Sequence, residues 1–153
     1  MHASLAAALI KIANPKPEES IFDPYCKDGV IVIEAALLGS KEIYAQDVVE
    51  NNIRNAKINA KMAKVNIAWE NPQKQVDYLI TNIWVPALQP RSKEKIAQML
   101  EENKEKVKKK VLMLTNWKNA EKSIGKEWNV EEKRTITRGL IRNYLFILRK
   151  NSS

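Results

Sequence analysis

Apolar positions recur along this chain in two rhythms, a short run typical of a strand and a three-to-four spacing typical of a helix. Ile21 and Phe22 are stopped by Asp23-Pro24; proline has no amide hydrogen to give to a ladder, so a strand ends there. Gly29 follows as the permissive residue of a loop. Ile31, Ala35 and Leu38 then recur at helical spacing, and Gly39 sits where a helix C-cap glycine belongs. Residues 20–39 therefore read as strand, loop, helix, the first half of a nucleotide-binding α/β unit.

The same reading extends to both sides. Leu5, Leu9 and Ile12 make an apolar stripe over 3–13, broken by Asn14-Pro15-Lys16-Pro17. A second strand is expected over 41–46, then a helix over 48–64 with Val49, Ile53, Ala56, Ala60 and Ala63 on one face. Residues 66–69 suggest a weak third strand and 76–81 a stronger fourth. Pro86 and Pro90 punctuate a loop, and Ser92 offers an N-cap to a helix carrying Ile96, Met99, Leu100 and Val107, whose lysine-dense end covers 104–110. The continuous apolar run 111–115 is typical of a buried strand, and 119–125 suggests a short helix. Two β-prone segments, 127–137 and 140–148, flank Arg138-Gly139 as their turn. Alternating strands and helices that end in a hairpin predict an α/β fold of Rossmann-like type, mostly parallel, with an antiparallel C-terminal hairpin. At 153 residues one domain is expected over 1–153, with 1–17 as a lead-in helix and 18–150 as the core.

Charge changes the picture. Twenty-six Lys+Arg against 18 Asp+Glu give a net charge of +8. That balance favours polyanions, RNA above all, although a generally basic soluble surface is the plain alternative. The single cysteine, Cys26, cannot form an internal disulfide and suggests a reducing, cytoplasmic setting. With one Cys and one His a Cys/His zinc site is excluded, so no metal is expected. No apolar run is long enough for a bilayer and no signal peptide is apparent, so no membrane partner is expected.

Asp23-Pro24-Tyr25-Cys26-x-x-Gly29, followed by Ile33-Glu34-Ala35-Ala36, resembles the first motif of the RNA (guanine-N2)-methyltransferases. Their usual form is Asp-Pro-Phe-Cys-Gly-Ser-Gly-Thr, then Ile-Glu-Ala-Ala. The match holds in the flanks and fails at the centre, where Lys27, Asp28 and Val30 replace glycine, serine and threonine. Ser4-Leu5-Ala6-Ala7 matches the family's lead-in, so the resemblance covers nearly all of the chain. It implies a class I methyltransferase fold, S-adenosylmethionine as cofactor, and an exocyclic amine of RNA as target, guanine N2 of tRNA in the family's own terms. Family catalytic domains usually follow an RNA-binding THUMP domain. None precedes this segment, so a protein partner supplying an RNA-binding domain is a further expectation.

Candidate residues follow. Asp47, at the end of the second strand with Val48 beside it, can accept from both ribose hydroxyls of a nucleoside cofactor, or can N-cap the helix expected from 48. Asp23, Pro24, Tyr25 and Gly29 form the expected cofactor loop. Lys27 can fold outward, fill part of the pocket and repel a sulfonium, bind a phosphate, or pair with Asp47. Asn82-Ile83-Trp84-Val85 stands where amino-directed methyltransferases carry Asn-Pro-Pro-Tyr. By that likeness Asn82 accepts from the target amine and Trp84 stacks on its base; a strand-end turn and a core or interface tryptophan are the alternatives. Glu70 and Asn71 follow the third strand without an assigned role. Lys104–Lys110 and the group Lys133, Arg134, Arg138 and Arg142 are candidate RNA contacts, or solvated faces. Two functions stand side by side: an RNA amine methyltransferase, and a catalytically inactive methyltransferase-fold module that binds RNA or a partner subunit.

Overall fold

The computed structural model describes residues 1–86 and 94–151. Ser92 and Pro90, expected as N-cap and loop breaker, lie outside them. The elements run α1 (Ala3–Ala13), β1 (Ser20–Asp23), α2 (Val30–Leu37), β2 (Glu42–Ala45), α3 (Glu50–Ala63), β3 (Val76–Ile83), α4 (Glu94–Asn103), β4 (Val107–Thr115), a 3-10 turn (Ala120–Ser123), β5 (Trp128–Arg138) and β6 (Ile141–Lys150). The sheet order is β2-β1-β3-β4-β6-β5. The pairings β1–β2, β1–β3 and β3–β4 are parallel, and β6 runs antiparallel to both β4 and β5. The expected α/β sheet with its antiparallel C-terminal hairpin is the observed one. Among the described residues no helix is long and apolar enough to cross a membrane.

Side-chain alternation explains the long apolar runs. In β4, Leu112 and Leu114 enter the cluster under α1, α2 and α3, while Val111 and Met113 enter the cluster under α4. In β6, Leu145 and Ile147 join the first cluster, and Phe146 and Leu148 the second. A strand covered on both faces has no polar side, so its sequence loses the alternating pattern.

Three expectations are corrected. The weak third strand contracts to one bridge, in which Ala68 donates to the Ile43 carbonyl and accepts from the Ala45 amide. Polar Asn66, Glu70 and Asn71-Pro72 leave only Ile67 and Trp69 to pack, too few for a strand. The lysine-rich stretch is not a helix end: α4 stops at Asn103, and β4 already begins at Val107. Its lysines are dispersed, with Lys104 paired to Glu101, Lys109 to Glu19 and Lys110 to Glu131. The helix expected from 48 begins at Glu50, with Val49 as its N-cap.

Gly29 fixes how α3 meets the first loop. Its φ is +88°, and a Cβ there would stand 3.1 Å from the Ala56 Cβ of α3 and 3.4 Å from Ile33 Cδ1. Gly29→Ala should cost about 1–2 kcal/mol from the left-handed backbone alone, with a further loss from displacing α3. A lowered urea midpoint at unchanged slope checks this.

Candidate functional site

The carboxyl ends of parallel strands β1, β2 and β3 meet at one sheet edge, where ligands bind in open α/β folds. Asp23, the last residue of β1, is 1% exposed. Its Oδ1 accepts from the Thr81 hydroxyl of β3 at 2.6 Å and from the Tyr25 amide at 3.0 Å. Among the described residues no hydrogen bond reaches Oδ2. Burial pushes the Asp23 carboxyl up to about 7, against the opposing pull of those two hydrogen bonds and of Lys27. The Lys27 ammonium is held below its usual range, first by desolvation and also by Lys95. These two half-compensated charges share one corner of the site.

The loop keeps the turn its sequence departs from. Lys27 has φ +52° and Gly29 φ +88°, so the backbone adopts at Lys27 the left-handed form that glycine takes at no steric cost. The Lys27 amide donates to Asp47 Oδ2 at 2.9 Å. Asp47 Oδ1 accepts from the Val49 amide at 2.9 Å and from Asn52 Nδ2 at 3.1 Å. Asp47 is therefore a tie between the β1 loop and the segment ahead of α3, not the N-cap of that helix. A carboxylate has about four lone-pair sites; three are taken, and one on Oδ2 remains.

Two adjoining hollows share Tyr25, Asp47 and Val48. One, of about 400 Å³, is also lined by Phe22, Pro24 and Asn71; the connection 69–75 carries no helix to fill it. The other, of about 250 Å³, is lined by Lys27, Asn52, Asn82, Trp84, Pro86 and Lys95. Lys95 Nζ lies 5.2 Å from the centroid of the Tyr25 ring. Behind Lys27 only about 20 Å³ is open, among Asp23, Cys26, Asp28 and Asn82. Asn82, half-buried at the end of β3, borders both this corner and the larger mouth. Among the described residues its amide makes no hydrogen bond. Trp84 is 54% exposed at the mouth rather than in the core. Cys26 is a buried packing residue whose thiol burial raises to about 12.

The expected site residues Asp23, Pro24, Tyr25, Gly29, Asp47, Val48, Asn82 and Trp84 thus gather at one edge. The sequence reading missed four others. Asn116 holds Val85 from both sides, its Oδ1 accepting the Val85 amide at 2.6 Å and its Nδ2 donating to the Val85 carbonyl at 2.8 Å. Thr81, Asn52 and Lys95 were also unassigned. Asn116 follows the apolar run 111–115 directly, and that position at a parallel strand end was its one signal.

The donor set suits the nucleoside half of S-adenosylmethionine: an apolar wall of Phe22, Pro24 and Val48, a remaining Asp47 lone pair, and the Asn71 amide. Asp23 Oδ2, which has no hydrogen bond among the described residues, suits a cationic group. The Lys27 ammonium competes for that corner, so the methionine half fits with Lys27 turned outward.

Residues 1–141 match the family model described as UPF0020: RMKL-like, methyltransferase domain. Ribosomal protein L11 methyltransferase of Oceanobacillus iheyensis is 32% identical over 79 residues, 46% of this chain and 25% of the relative. Putative RNA methyltransferase YpsC of Bacillus subtilis is 50% identical over 36 residues, 24% of this chain and 9% of the relative. TrmN from Thermus thermophilus superposes with a TM-score of 0.85 at 20% identity, over 99% of this chain and 49% of that one. SMU.472, a putative methyltransferase complexed with SAH, superposes with a TM-score of 0.76 at 17% identity, over 99% and 53%. At those identities the solved structures speak for the fold. The chain spans a quarter or less of these curated relatives and about half of these solved chains.

Asp23 gives a pH test. Its value near 7 when folded stands against 3.8 for the free group. The folded state therefore holds the extra proton between the two, and stability from this group is full below about pH 4 and lost as pH rises through 7. Urea unfolding should show wild type losing stability relative to Asp23→Asn from pH 4 to 7.5, and a constant difference above that. A pH-independent difference would contradict the buried, protonated assignment.

Proposed function

The chain belongs to the UPF0020 family of RMKL-like methyltransferase domains, and from that premise we propose that it is the catalytic part of an S-adenosylmethionine-dependent methyltransferase acting on an exocyclic amine of RNA, with guanine N2 of tRNA as the target. The reading rests on Asn82. Its side-chain amide is unpartnered among the described residues, sits at the carboxyl end of β3, and borders the corner formed by Asp23 and Lys27. S-adenosylmethionine supplies, when bound, an electrophilic methyl group on sulfonium sulfur.

The protein's own residues supply position. Asn82 Oδ1 accepts one N–H of the target amine and a neighbouring main-chain carbonyl accepts the other. Two acceptors on the N–H groups aim the nitrogen lone pair away from those protein oxygens and toward the cofactor corner. Trp84 offers an exposed indole face for the base, and the Asn116 clamp on Val85 holds the segment carrying it. Asp23, Pro24, Tyr25, Gly29, Asp47 and Val48 hold the nucleoside side. A THUMP-bearing partner would add RNA affinity.

A second reading, a module that keeps the fold without the chemistry and binds RNA or a partner subunit, is favoured by one observation: Lys27 leaves about 20 Å³ at the methionine corner. Calorimetric titration with S-adenosylmethionine and S-adenosylhomocysteine separates the two. Lys27→Gly should be neutral to stabilising, by up to about 1.5 kcal/mol, because relief of about 1–2 kcal/mol of left-handed strain is only partly offset by about 0.5–1 kcal/mol of added chain entropy. It should tighten both ligands at least tenfold, about 1.4 kcal/mol, and Asp47→Ala should weaken them. Undetectable binding in wild type and Lys27→Gly alike would leave only the module. With the cofactor site intact, Asn82→Ala should lower the rate of methyl transfer to tRNA about a hundredfold while leaving cofactor affinity unchanged.

A further inference from the structure

The last pairing between β4 and β6 is Thr115 with Tyr144. The β5–β6 hairpin continues beyond it, through Ile136–Asn143, Thr137–Arg142 and Arg138–Ile141. Three residues at the strand rise carry the tip about 10 Å past the end of β4. Thr115 is also the register partner of Ile83, the neighbour of Asn82. The tip therefore projects from the same edge as the candidate site, about two strand spacings, or ~10 Å, to the side of Asn82.

The chemistry of the tip differs from that of the hairpin below it. Lower down, cations are neutralised: Lys133 by Glu121, Arg134 by Glu132, Arg149 by Glu131 and Lys150 by Glu105. At the tip, exposed Arg138 and Arg142 have no ion pair or hydrogen bond among the described residues. Between them Leu140 is 103% exposed and Ile141 60%. Two apolar side chains fall short of the several hundred Å² typical of a protein-docking patch. Unpaired arginines beside an exposed apolar side chain suit phosphates beside a base.

We propose that residues 138–142 form an RNA-contacting finger, in which Arg138 and Arg142 bind phosphates flanking the nucleotide delivered to Asn82 while Leu140 packs on an adjacent base. This rests on the RNA reading of the same edge, but not on cofactor binding.

The test is fluorescence-anisotropy titration of the full chain with unfractionated tRNA over a range of salt concentrations. Arg138→Gln/Arg142→Gln should weaken binding about tenfold at 0.1 M salt and reduce the slope of log K against log salt by about 1.4–1.8, the value for two phosphates. Leu140→Ser should weaken binding severalfold with the slope unchanged. Lys16→Gln/Lys41→Gln removes the same charge near the starts of β1 and β2, at the opposite edge, and should leave the slope unchanged. Equal effects of the two double variants, no effect of the arginine pair, or no tRNA binding by wild type would each overturn the finger. Calorimetry with S-adenosylhomocysteine on the same proteins keeps the outcomes separate: loss of cofactor binding in wild type with the arginine effect intact removes the enzyme reading and leaves the finger standing.

Discussion

The buried carboxyl of Asp23 is the constraint on which the site edge depends. One oxygen joins β1 to β3 through the Thr81 hydroxyl and to its own loop through the Tyr25 amide. Removing it would leave a buried hydroxyl and a partly buried amide without their acceptor, each costing about 1–3 kcal/mol. Because both bonds converge on Oδ1, the other oxygen is left without a hydrogen bond among the described residues, in a corner shared with Lys27, Asp28 and Asn82. Burial raises the proton affinity of the carboxyl and gives the corner an appetite for positive charge. Lys27 and a cationic ligand are alternatives for satisfying it.

Asp47 shows the same economy with a different outcome. Its three hydrogen bonds hold the β1 loop against the start of α3, which is what keeps Lys27 in a left-handed conformation at all. Such a residue costs about 1–2 kcal/mol, and a charge-assisted hydrogen bond from its own amide is of comparable size. The loop thus retains a glycine shape after losing the glycine. With one lone pair to spare, Asp47 can take one ribose hydroxyl directly; a second would require Asn52 to release Oδ1.

Most of the fold was legible, because burial on two faces writes itself as continuous apolar runs and burial on one face as a helical stripe. Residues 111–115 and 140–148 could be little else than strands of a covered sheet. The strand–loop–helix of 20–39 was equally plain, since Pro24, Gly29 and Gly39 each act through backbone geometry that few other residues share. What escaped was set by tertiary context. Lysines 108–110 look like a charged helix end until β3 supplies a neighbour that extends β4 back to Val107. Asp47 resembles an N-cap in sequence, and only the nearby Lys27 amide recruits it elsewhere. Asn116 carries no local pattern at all: its role exists because Val85 lies beside it, 31 residues away. The site residues gathered as expected, while the contacts that hold them did not announce themselves.

The distribution of charge completes the argument. A net charge of +8 says nothing about where a polyanion would sit, and in the densest run of lysines Lys104, Lys109 and Lys110 are each paired to a glutamate. Pairing decides the matter. Among the described residues along β4 and the lower hairpin most cations, though not Lys108, are answered by a carboxylate, and exposed pairs of this kind add little stability or long-range field. The cations that remain unanswered count for more, and Arg138 and Arg142 occupy the edge at which Asn82 and Trp84 also open. Electrostatic steering toward a cleft depends on uncompensated charge close to its mouth. Arg138 and Arg142 at the hairpin tip, with Lys27 and Lys95 at the mouth itself, are cations without an ion pair among the described residues, and they give this edge the uncompensated charge that such steering needs.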